Sequence, residues 1–463
     1  MNSIELVQHY IEKVLFHLQP LLPLANCHMV DFFTKNIFKT TLSDEMTNEI
    51  NSIPHYLVCQ NILEGNFTNI PILKKYFESC SKCTLLECKN ICLTLEEYYN
   101  KMESLGYKNM NRFKLDIFMS QKKSHEVEIL SSVVASLKHI GYTSHVIDIG
   151  DGKGYLSSML ALHHKIPVLG IDASANNSDS AVKRVKKLEK VWNTVYDSPK
   201  KSVPKRTESN FTSSHELYKQ ITKFVEPDTN FNEMMDNIFN EKIDRISLVG
   251  LHTCGNLAAT SIKIFTQNTS VRTLANVGCC YHLLNEKFEY SPAEHIVGFP
   301  MSDYLLKKQV SIGRNARMVA AQSVNRIFHK KELPDISIFY RALLQVVLEN
   351  ECKQLPCKTV GKMKKKYKNF VEYVRMAVNK LELENFDVSD QDLQKLHDNY
   401  KPRLDELNIF YLIRSVISPV IENLILLDRL LFLLEQGYDK SFIVQLFDAI
   451  ISPRCYGIIS IKT

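Results

Sequence analysis

The segment HVIDIGDGKGYLSSMLALHH, which begins at His145, constrains the fold more than any other part of this 463-residue chain. A short apolar run leads into a glycine-rich turn, and a helical pattern follows. Glycines at Gly150, Gly152 and Gly154 let the backbone approach a ligand closely, and the start of the helix offers unpaired N–H groups. The spacing is G-x-G-x-G, whereas dinucleotide enzymes use G-x-G-x-x-G. The segment predicts a strand–turn–helix unit with a ligand-binding turn.

Strand and helix patterns alternate beyond this turn. VLGIDAS predicts a second buried strand, and LYKQITKFV, ISLVGLHTCG and TLANVGCCYH predict a third, a fourth and a fifth. Asp172 ends the second strand, where an acid can accept hydrogen bonds from ribose hydroxyls. FIVQLFDAIISP and CYGIISIKT regain strand character at the C-terminus and predict an antiparallel pair. This order predicts an α/β fold with a mostly parallel, Rossmann-like sheet.

The pattern divides the chain into four segments. We expect a helical region over residues 1–115 and the first part of the α/β domain over residues 116–330. A helical insertion over residues 331–404 precedes C-terminal helices and the last strands, which complete the same domain over residues 405–463. The polar stretch YDSPKKSVPKRTESNFTSS predicts a surface loop or disordered insert.

Composition is that of an ordinary globular protein. Apolar residues make up 45% and charged residues 23% of the chain, which excludes collagen, a coiled coil and a wholly disordered protein. The net charge of +6 is compatible with a nucleic-acid partner without establishing one. The most apolar stretch, from Asn408, carries several charges, so it predicts buried helices broken near Pro419 and no membrane association. No signal peptide is expected, and reduced cysteines point to the cytoplasm or nucleus.

The acid before the first glycine, the tight spacing and Asp172 together resemble class I S-adenosylmethionine-dependent methyltransferases. The segments MSQKKSHEV, DIGDGKGYLS, GLHTCGNLA, NVGCCYHLL, GFPMS, GRNARMVAAQS and FDAIISPR resemble the methyltransferase-like 25 and 25B family, from about Lys122 to the C-terminus. The resemblance implies a class I methyltransferase sheet and S-adenosylmethionine as cofactor. The residues that it suggests for cofactor binding are Asp148, Gly150, Gly152, Gly154, Asp172, Lys123 and His252. Asp151 departs from the small residue expected and adds charge beside this site.

Two segments at strand ends suggest an acceptor pocket. HTCG ends the fourth strand and CCYH the fifth, and both resemble segments of tRNA 2′-O-methyltransferases. Because ligands bind outside the carboxyl ends of parallel strands, both segments are expected to line the pocket. The catalytic candidates are His252, Cys254, Tyr281 and His282. A histidine could accept a proton, and the tyrosine could stack on the acceptor. Alternatively, Cys254, Cys280 and the histidines could bind zinc. A packed pocket wall without metal is the favoured alternative.

Further candidates are less specific. Lys122, Lys123, His125 and Glu126 precede the first strand, where the resemblance places residues that close over the cofactor; a solvated helix face is the alternative. Gly313, Arg314, Asn315 and Arg317 could bind an anionic acceptor or start a helix. Cys80, Cys83, Cys88 and Cys92 could bind metal, although their spacing lacks paired C-x-x-C motifs. Basic runs begin at Pro199 and Lys362 and could contact phosphates or serve in nuclear import.

These patterns together predict an S-adenosylmethionine-dependent methyltransferase that modifies an oxygen or nitrogen atom. RNA is the favoured acceptor, and a protein acceptor is the alternative. The segment LHTCGN stands where amino-methylating enzymes carry Asn/Asp-Pro-Pro-Tyr, which argues against adenine N6 chemistry. A fold that binds without turnover is the rival hypothesis. The sequence leaves the oligomeric state open.

Overall fold

The computed structural model describes residues 2–107, 112–196, 214–289, 297–351, 360–361, 363, 366–383 and 386–462. The basic insert that begins at Pro199 lies outside the described residues, as does part of the basic run from Lys362.

Within the described residues, eight strands form one sheet. Their bounds are β1 Cys92–Thr94, β2 His145–Ile149, β3 Val168–Asp172, β4 Tyr218–Thr222, β5 Ile246–Cys254, β6 Val271–Cys279, β7 Ser441–Gln445 and β8 Tyr456–Ile461. The order across the sheet is β1-β7-β8-β6-β5-β2-β3-β4. All five residues of β2 are buried, which is the pattern of a central strand covered on both faces.

The sheet is parallel except at β8. This strand pairs antiparallel with β6 on one side and with β7 on the other, so the last two predicted strands complete the sheet as an antiparallel pair. The sequence pattern does not predict β1, which pairs in parallel with β7 and lies at the edge. Its three residues are too few to show an alternating pattern, and only the pairing with a strand about 350 positions away defines it. The predicted fold class, an α/β sheet with a helical N-terminus and a helical insertion before the last two strands, is confirmed.

Along the chain, helices precede the strands and alternate with them. Their bounds are α1 Ser3–Leu18, α2 Leu22–Asn26, α3 Ile37–Thr41, α4 Asp44–Asn51, α5 His55–Glu64, α6 Pro71–Ser81, α7 Leu95–Ser104, α8 Gln121–Ile140, α9 Tyr155–Leu162, α10 Ala175–Tyr196, α11 Ser214–Leu217, α12 Phe231–Phe239, α13 Asn256–Gln267, α14 Asp303–Lys307, α15 Arg314–Ala320, α16 Val324–Lys330, α17 Ser337–Glu351, α18 Phe370–Leu381, α19 Asp390–Tyr400, α20 Leu404–Ser415 and α21 Ser418–Glu435. Short 3-10 turns occur at Gln19–Leu21, Met29–Asp31, Leu85–Glu87, Tyr281–Leu283 and Lys401–Arg403.

The chain forms two compact units. The sheet unit comprises Met1–Phe16, Cys83–Ser323 and Ile421–Thr463, and it contains all eight strands. The helical unit comprises His17–Lys82 and Val324–Val420. Within the helical unit, the buried ring of Phe32 contacts that of Phe410 at a centroid distance of 5.5 Å. Buried Arg414 donates to the carbonyl of Ala25, which satisfies one of the charges in the apolar C-terminal stretch.

The apolar stretch from Asn408 is divided as its proline predicts. Helix α20 ends at Ser415 and α21 begins at Ser418, so Pro419 lies in the first turn of α21, where its missing N–H is tolerated.

Across the described residues, we find no helix whose length and apolarity would suit it to span a membrane.

Candidate functional site

A cavity of about 600 Å³ lies at the carboxyl ends of β2, β3 and β5. Its wall includes residues of the glycine turn after β2, Asp172 at the end of β3, and His252 and Cys254 at the end of β5. This is the edge at which open α/β sheets bind ligands, and the volume lies within the range of small-molecule sites. The cavity therefore marks the candidate site.

The glycine turn has a backbone that other residues rarely adopt. The φ angles of Gly150, Gly152 and Gly154 are +75°, +61° and +67°. Gly150 and Gly152 line the cavity, whereas Gly154 does not and begins α9 instead. A Cβ atom at Gly154 would lie 2.6 Å from the hydroxyl of Tyr218, so this position requires glycine for packing. Two of the three predicted glycines therefore form the cavity wall, and the third joins turn to helix.

Asp172 fixes the shape of the turn. Its carboxylate accepts hydrogen bonds from the backbone N–H of Gly152 at 2.9 Å, from the N–H of Ser174 at 2.8 Å and from Asn177 at 3.0 Å. A carboxylate has about four lone-pair sites, so at least one acceptor position is left for a ligand. Asp172 thus both orders the turn and reaches the cavity.

Asp148 and Asp151 form a buried pair beneath the turn. The hydroxyl of Ser157 donates to Asp148 at 2.9 Å and to Asp151 at 2.7 Å. Burial and the proximity of the two acids raise the pKa of Asp148 well above its usual range, and burial also raises the pKa of Asp151. Tyr218 donates a hydrogen bond to Asp151. Asp151 lines the cavity, as expected of its place in the turn, but its carboxyl group is buried and held by Ser157 and Tyr218.

Glu126 links the start of α8 to the end of β5. The hydroxyl of Ser120 accepts from the N–H of Lys123 and so begins α8 at this point. The fully buried carboxylate of Glu126 lies 2.9 Å from Nε2 of His252 and 2.9 Å from Nζ of Lys123. Ser452 donates to the same carboxylate at 2.6 Å. Lys123 and His252 both line the cavity, so Glu126 holds two predicted site residues in place.

The environment of Glu126 stabilises its ionised form. Burial alone raises the pKa of this carboxyl, but the hydrogen bond and charge of His252, with the charge of Lys123, hold its pKa well below its usual range. The ionised carboxylate only accepts hydrogen bonds, so Nε2 of His252 carries the proton that lies between them. When the ring is neutral, Nδ1 is then the nitrogen of His252 that can accept a proton.

We expect Glu126 to make stability depend on pH in the acidic range. Because its pKa is lower in the folded than in the unfolded chain, its contribution is complete above its ordinary value near 4.5 and is lost as the pH falls below it. The free energy of unfolding, measured with urea from neutral pH to about pH 3, should therefore decline less in Glu126→Gln than in the unaltered protein. Glu103→Gln, at an exposed glutamate, is the control. Parallel pH profiles for the unaltered protein and Glu126→Gln would contradict the assignment.

The ends of β5 and β6 lie side by side. Cys254 pairs in register with Cys279 across the two strands. The Sγ atoms of Cys254 and Cys279 are 3.2 Å apart, those of Cys279 and Cys280 are 3.6 Å apart, and all three sulfur atoms lie within 4.8 Å of one another. A hydrogen bond from Cys279 lowers the pKa of the Cys254 thiol to about 6, and the same contact together with burial raises the pKa of Cys279. Neither His252 nor His282 is part of this group, so the mixed histidine–cysteine cluster is not formed.

Tyr281 and His282 do not line the cavity. Tyr281 is 1% exposed, and its hydroxyl donates to Glu422 of α21 at 2.8 Å. His282 lies near Arg314 and Arg317, and burial lowers its pKa, with a further decrease from the two positive charges. The strand ends are neighbours, as expected, but the chain takes a left-handed φ of +51° at Cys280, and these two side chains lie outside the cavity wall.

We expect Tyr281→Phe to affect stability rather than turnover. The change removes the hydrogen bond to the Glu422 carboxylate inside the fold, which should lower the free energy of unfolding by about 1.5–3 kcal/mol. Denaturant unfolding measures this loss, and Tyr56→Phe, at a 61% exposed tyrosine, should change little. Unchanged stability together with a large loss of turnover would restore a role for Tyr281 at the acceptor.

Other candidates have structural partners. Buried Arg317 forms an ion pair with Glu286 at 2.7 Å, and the N–H of Gly313 donates to the same carboxylate, so Arg317 is not free to bind an acceptor. Among the described residues, Cys80, Cys83, Cys88 and Cys92 form no cluster of convergent metal ligands. Cys88 instead contacts Asn423, as a packed thiol does.

Several cavity residues escape the sequence patterns. Lys223 and Phe224 line the cavity just beyond β4, and Leu283 lines it after β6. Phe224 is 67% exposed and Leu283 is 51% exposed. The predicted strand LYKQITKFV includes Phe224, whereas β4 ends at Thr222. An exposed aromatic residue directly after a buried strand is the signal that could have identified it.

The chain is similar to known methyltransferase-domain proteins. A protein-family model for a methyltransferase domain matches residues 122–287. The chain is 29% identical to probable methyltransferase-like protein 25 of Mus musculus and 28% identical to that of Homo sapiens, over 98% of this chain and 96% of each relative. Among solved structures, the methyltransferase domain of bacterial CtHen1 aligns with 32% of this chain and 63% of that chain, with 20% identity and a TM-score of 0.21. The resemblance to the methyltransferase-like 25 family is confirmed.

Proposed function

We propose that this protein, which contains a methyltransferase domain, binds S-adenosylmethionine and transfers its methyl group to an oxygen or nitrogen atom of RNA. The observation that carries the proposal is the cavity at the carboxyl ends of β2, β3 and β5, whose wall contains a glycine cradle and, in contact with it, the acidic residue Asp172. Both features lie within the matched domain, at residues 122–287.

The residues of the cavity fit this cofactor. A Cβ atom at Gly152 would meet nothing nearer than 3.9 Å, so this wall is open to a ligand that approaches the backbone closely. Asp172 has acceptor capacity suited to ribose hydroxyls. Oδ1 of Asp148 is buried without a hydrogen-bond partner in the described structure, and Asp148 lines the cavity. A buried acceptor of this kind suits the ammonium group of an amino acid.

The chain supplies orientation and a proton acceptor. The bound cofactor contributes an electrophilic methyl group attached to a positively charged sulfur. His252 is held by Glu126, so its Nδ1 can take the proton that an attacking hydroxyl or amino group releases. Asp172 and the glycine turn fix the other side of the cavity, and such alignment of reactants accounts for much of the rate in displacement reactions.

RNA as acceptor is supported by the rim of the cavity. Lys153 and Lys223 are exposed cavity residues, and Phe224 is an exposed aromatic residue of the same cavity wall. Lysines contact phosphates, and exposed aromatic rings stack on unpaired bases. The net charge of +6 agrees with an anionic acceptor.

The test combines binding with labelling. Calorimetry with S-adenosylmethionine should detect binding by the full chain. Tritiated cofactor should then label the RNA fraction of an extract from cells lacking the protein, and ribonuclease should release the label. Label confined to the protein fraction would contradict the RNA acceptor, and binding without any label would favour a fold that binds without turnover. Absence of binding would overturn the proposal itself.

A further inference from the structure

We propose that Cys254, Cys279 and Cys280 form a zinc site where β5 and β6 end, beside the cavity that Cys254 lines. The three sulfur atoms lie within 4.8 Å of one another, and two of their separations are 3.2 Å and 3.6 Å. Tetrahedral zinc with Zn–S bonds of about 2.3 Å would place its sulfur ligands about 3.8 Å apart. The trio therefore needs only small adjustments to hold the ion.

The backbone brings the three thiols to one side. Successive residues of a strand point to opposite faces, so Cys279 and Cys280 would normally diverge. Cys280 instead has a left-handed φ of +51° at the end of β6, and its sulfur stays near that of Cys279. On the neighbouring strand, a register shift between Leu251 and Thr253 accompanies a φ of +65° at His252, just before Cys254. Both irregularities occur where the cysteines converge.

A buried arginine beside the trio provides independent support. Arg429 of α21 is 1% exposed, and neither its Nε nor its Nη1 has a hydrogen-bond partner in the described structure. A Cβ atom at Gly278 would lie 2.5 Å from Nη1, which places the guanidinium against β6 next to Cys279. A buried cation without such partners is costly. Asp428 and Glu422 already contribute negative charge near Arg429. Zinc with three thiolates carries a net charge of −1, so the occupied site would add a further anion on the side of Cys279, where Nη1 lies.

The fourth position of the ion is open to a small ligand. No histidine, cysteine, aspartate or glutamate of the described chain joins the three cysteines in the cluster. Cys254 is exposed and lines the cavity, whereas Cys279 is buried. The open position therefore lies on the side of Cys254, where water or an acceptor group can complete the tetrahedron.

Metal analysis tests the proposal without any assay of methyl transfer. The full chain, purified with zinc and without chelators, should retain stoichiometric zinc by elemental analysis. Replacement with Co²⁺ should give thiolate-to-metal charge-transfer bands and the visible absorption of a tetrahedral ion. Cys254→Ser and Cys280→Ser should lose most of the metal on gel filtration. Cys27→Ser, at a half-buried thiol outside the trio, should keep it.

Two results would overturn the zinc site. One is folded, unaltered protein that retains no zinc and gives no thiolate charge-transfer bands with Co²⁺. The other is a disulfide between Cys254 and Cys279, found by mass spectrometry in freshly purified protein with thiols blocked at lysis. The cobalt spectrum uses the unaltered chain, so it remains informative if a serine variant fails to fold. Cofactor binding is measured separately, so failure of the metal site and failure of the proposed methyl transfer can be distinguished.

Discussion

Gly152→Arg should abolish binding of S-adenosylmethionine while the fold is retained. The backbone of Gly152 borders the cavity, and its N–H is fixed by Asp172. An arginine at this position would extend from an open wall into the space that the cofactor needs. We expect calorimetry to show a loss of at least about 100-fold in affinity, equivalent to about 2.7 kcal/mol.

Two matched variants separate obstruction from backbone strain. Gly152→Ala imposes the same left-handed strain, which costs about 1–2 kcal/mol of stability, but it fills little of the cavity. Gly65→Arg introduces the same side chain at a φ of +70° in the helical unit, away from the cavity wall. Both should bind the cofactor far better than Gly152→Arg. Unchanged affinity in Gly152→Arg would remove the cofactor assignment from this turn.

Local patterns predict the central sheet because its strands are marked by their own residues. The buried run before the glycine turn and the alternation after it identify β2, β3, β4, β5 and β6, and the paired strands at the C-terminus identify β7 and β8. The short strand β1 could not be found in this way, because its conformation depends on pairing with Ile443–Gln445. Patterns along the chain thus predict long buried strands better than a short edge strand.

The candidate site is predicted in part. Gly150, Gly152, Asp172 and Cys254 reach the cavity because strand ends place them there. The direction of Tyr281 depends on a glutamate more than a hundred positions away in α21, which no local pattern reveals. The contact between Glu126 and His252 is equally hidden from local patterns, because it joins the start of α8 to the end of β5. Sequence spacing predicts the edge at which side chains gather, but tertiary partners decide which of them face the ligand.

His252→Gly should reduce turnover by about 10²–10⁴-fold, the range for loss of a general base. Glycine suits the φ of +65° at this position and leaves a space the size of the missing ring. Cofactor affinity measured by calorimetry should change little, and added imidazole should restore part of the turnover measured with tritiated cofactor and the RNA fraction. His139→Asn, at an exposed histidine of α8, is the control. Full turnover in His252→Gly would exclude His252 as the proton acceptor.

Glu126 is expected to act through His252, as a positioning residue. Its carboxylate accepts the hydrogen bond from Nε2 and so leaves Nδ1 as the nitrogen that can accept a proton. Glu126→Gln should therefore lower kcat less than His252→Gly does. The double variant should be no slower than His252→Gly alone, because in that background there is no imidazole for the carboxylate to orient. If Glu126 acted only through stability, Glu126→Gln would instead lower the turnover of the unaltered protein and of His252→Gly by the same factor, because less of each protein would be folded. Additive losses in kcat, measured per folded molecule, would show that Glu126 contributes to methyl transfer by a route independent of His252.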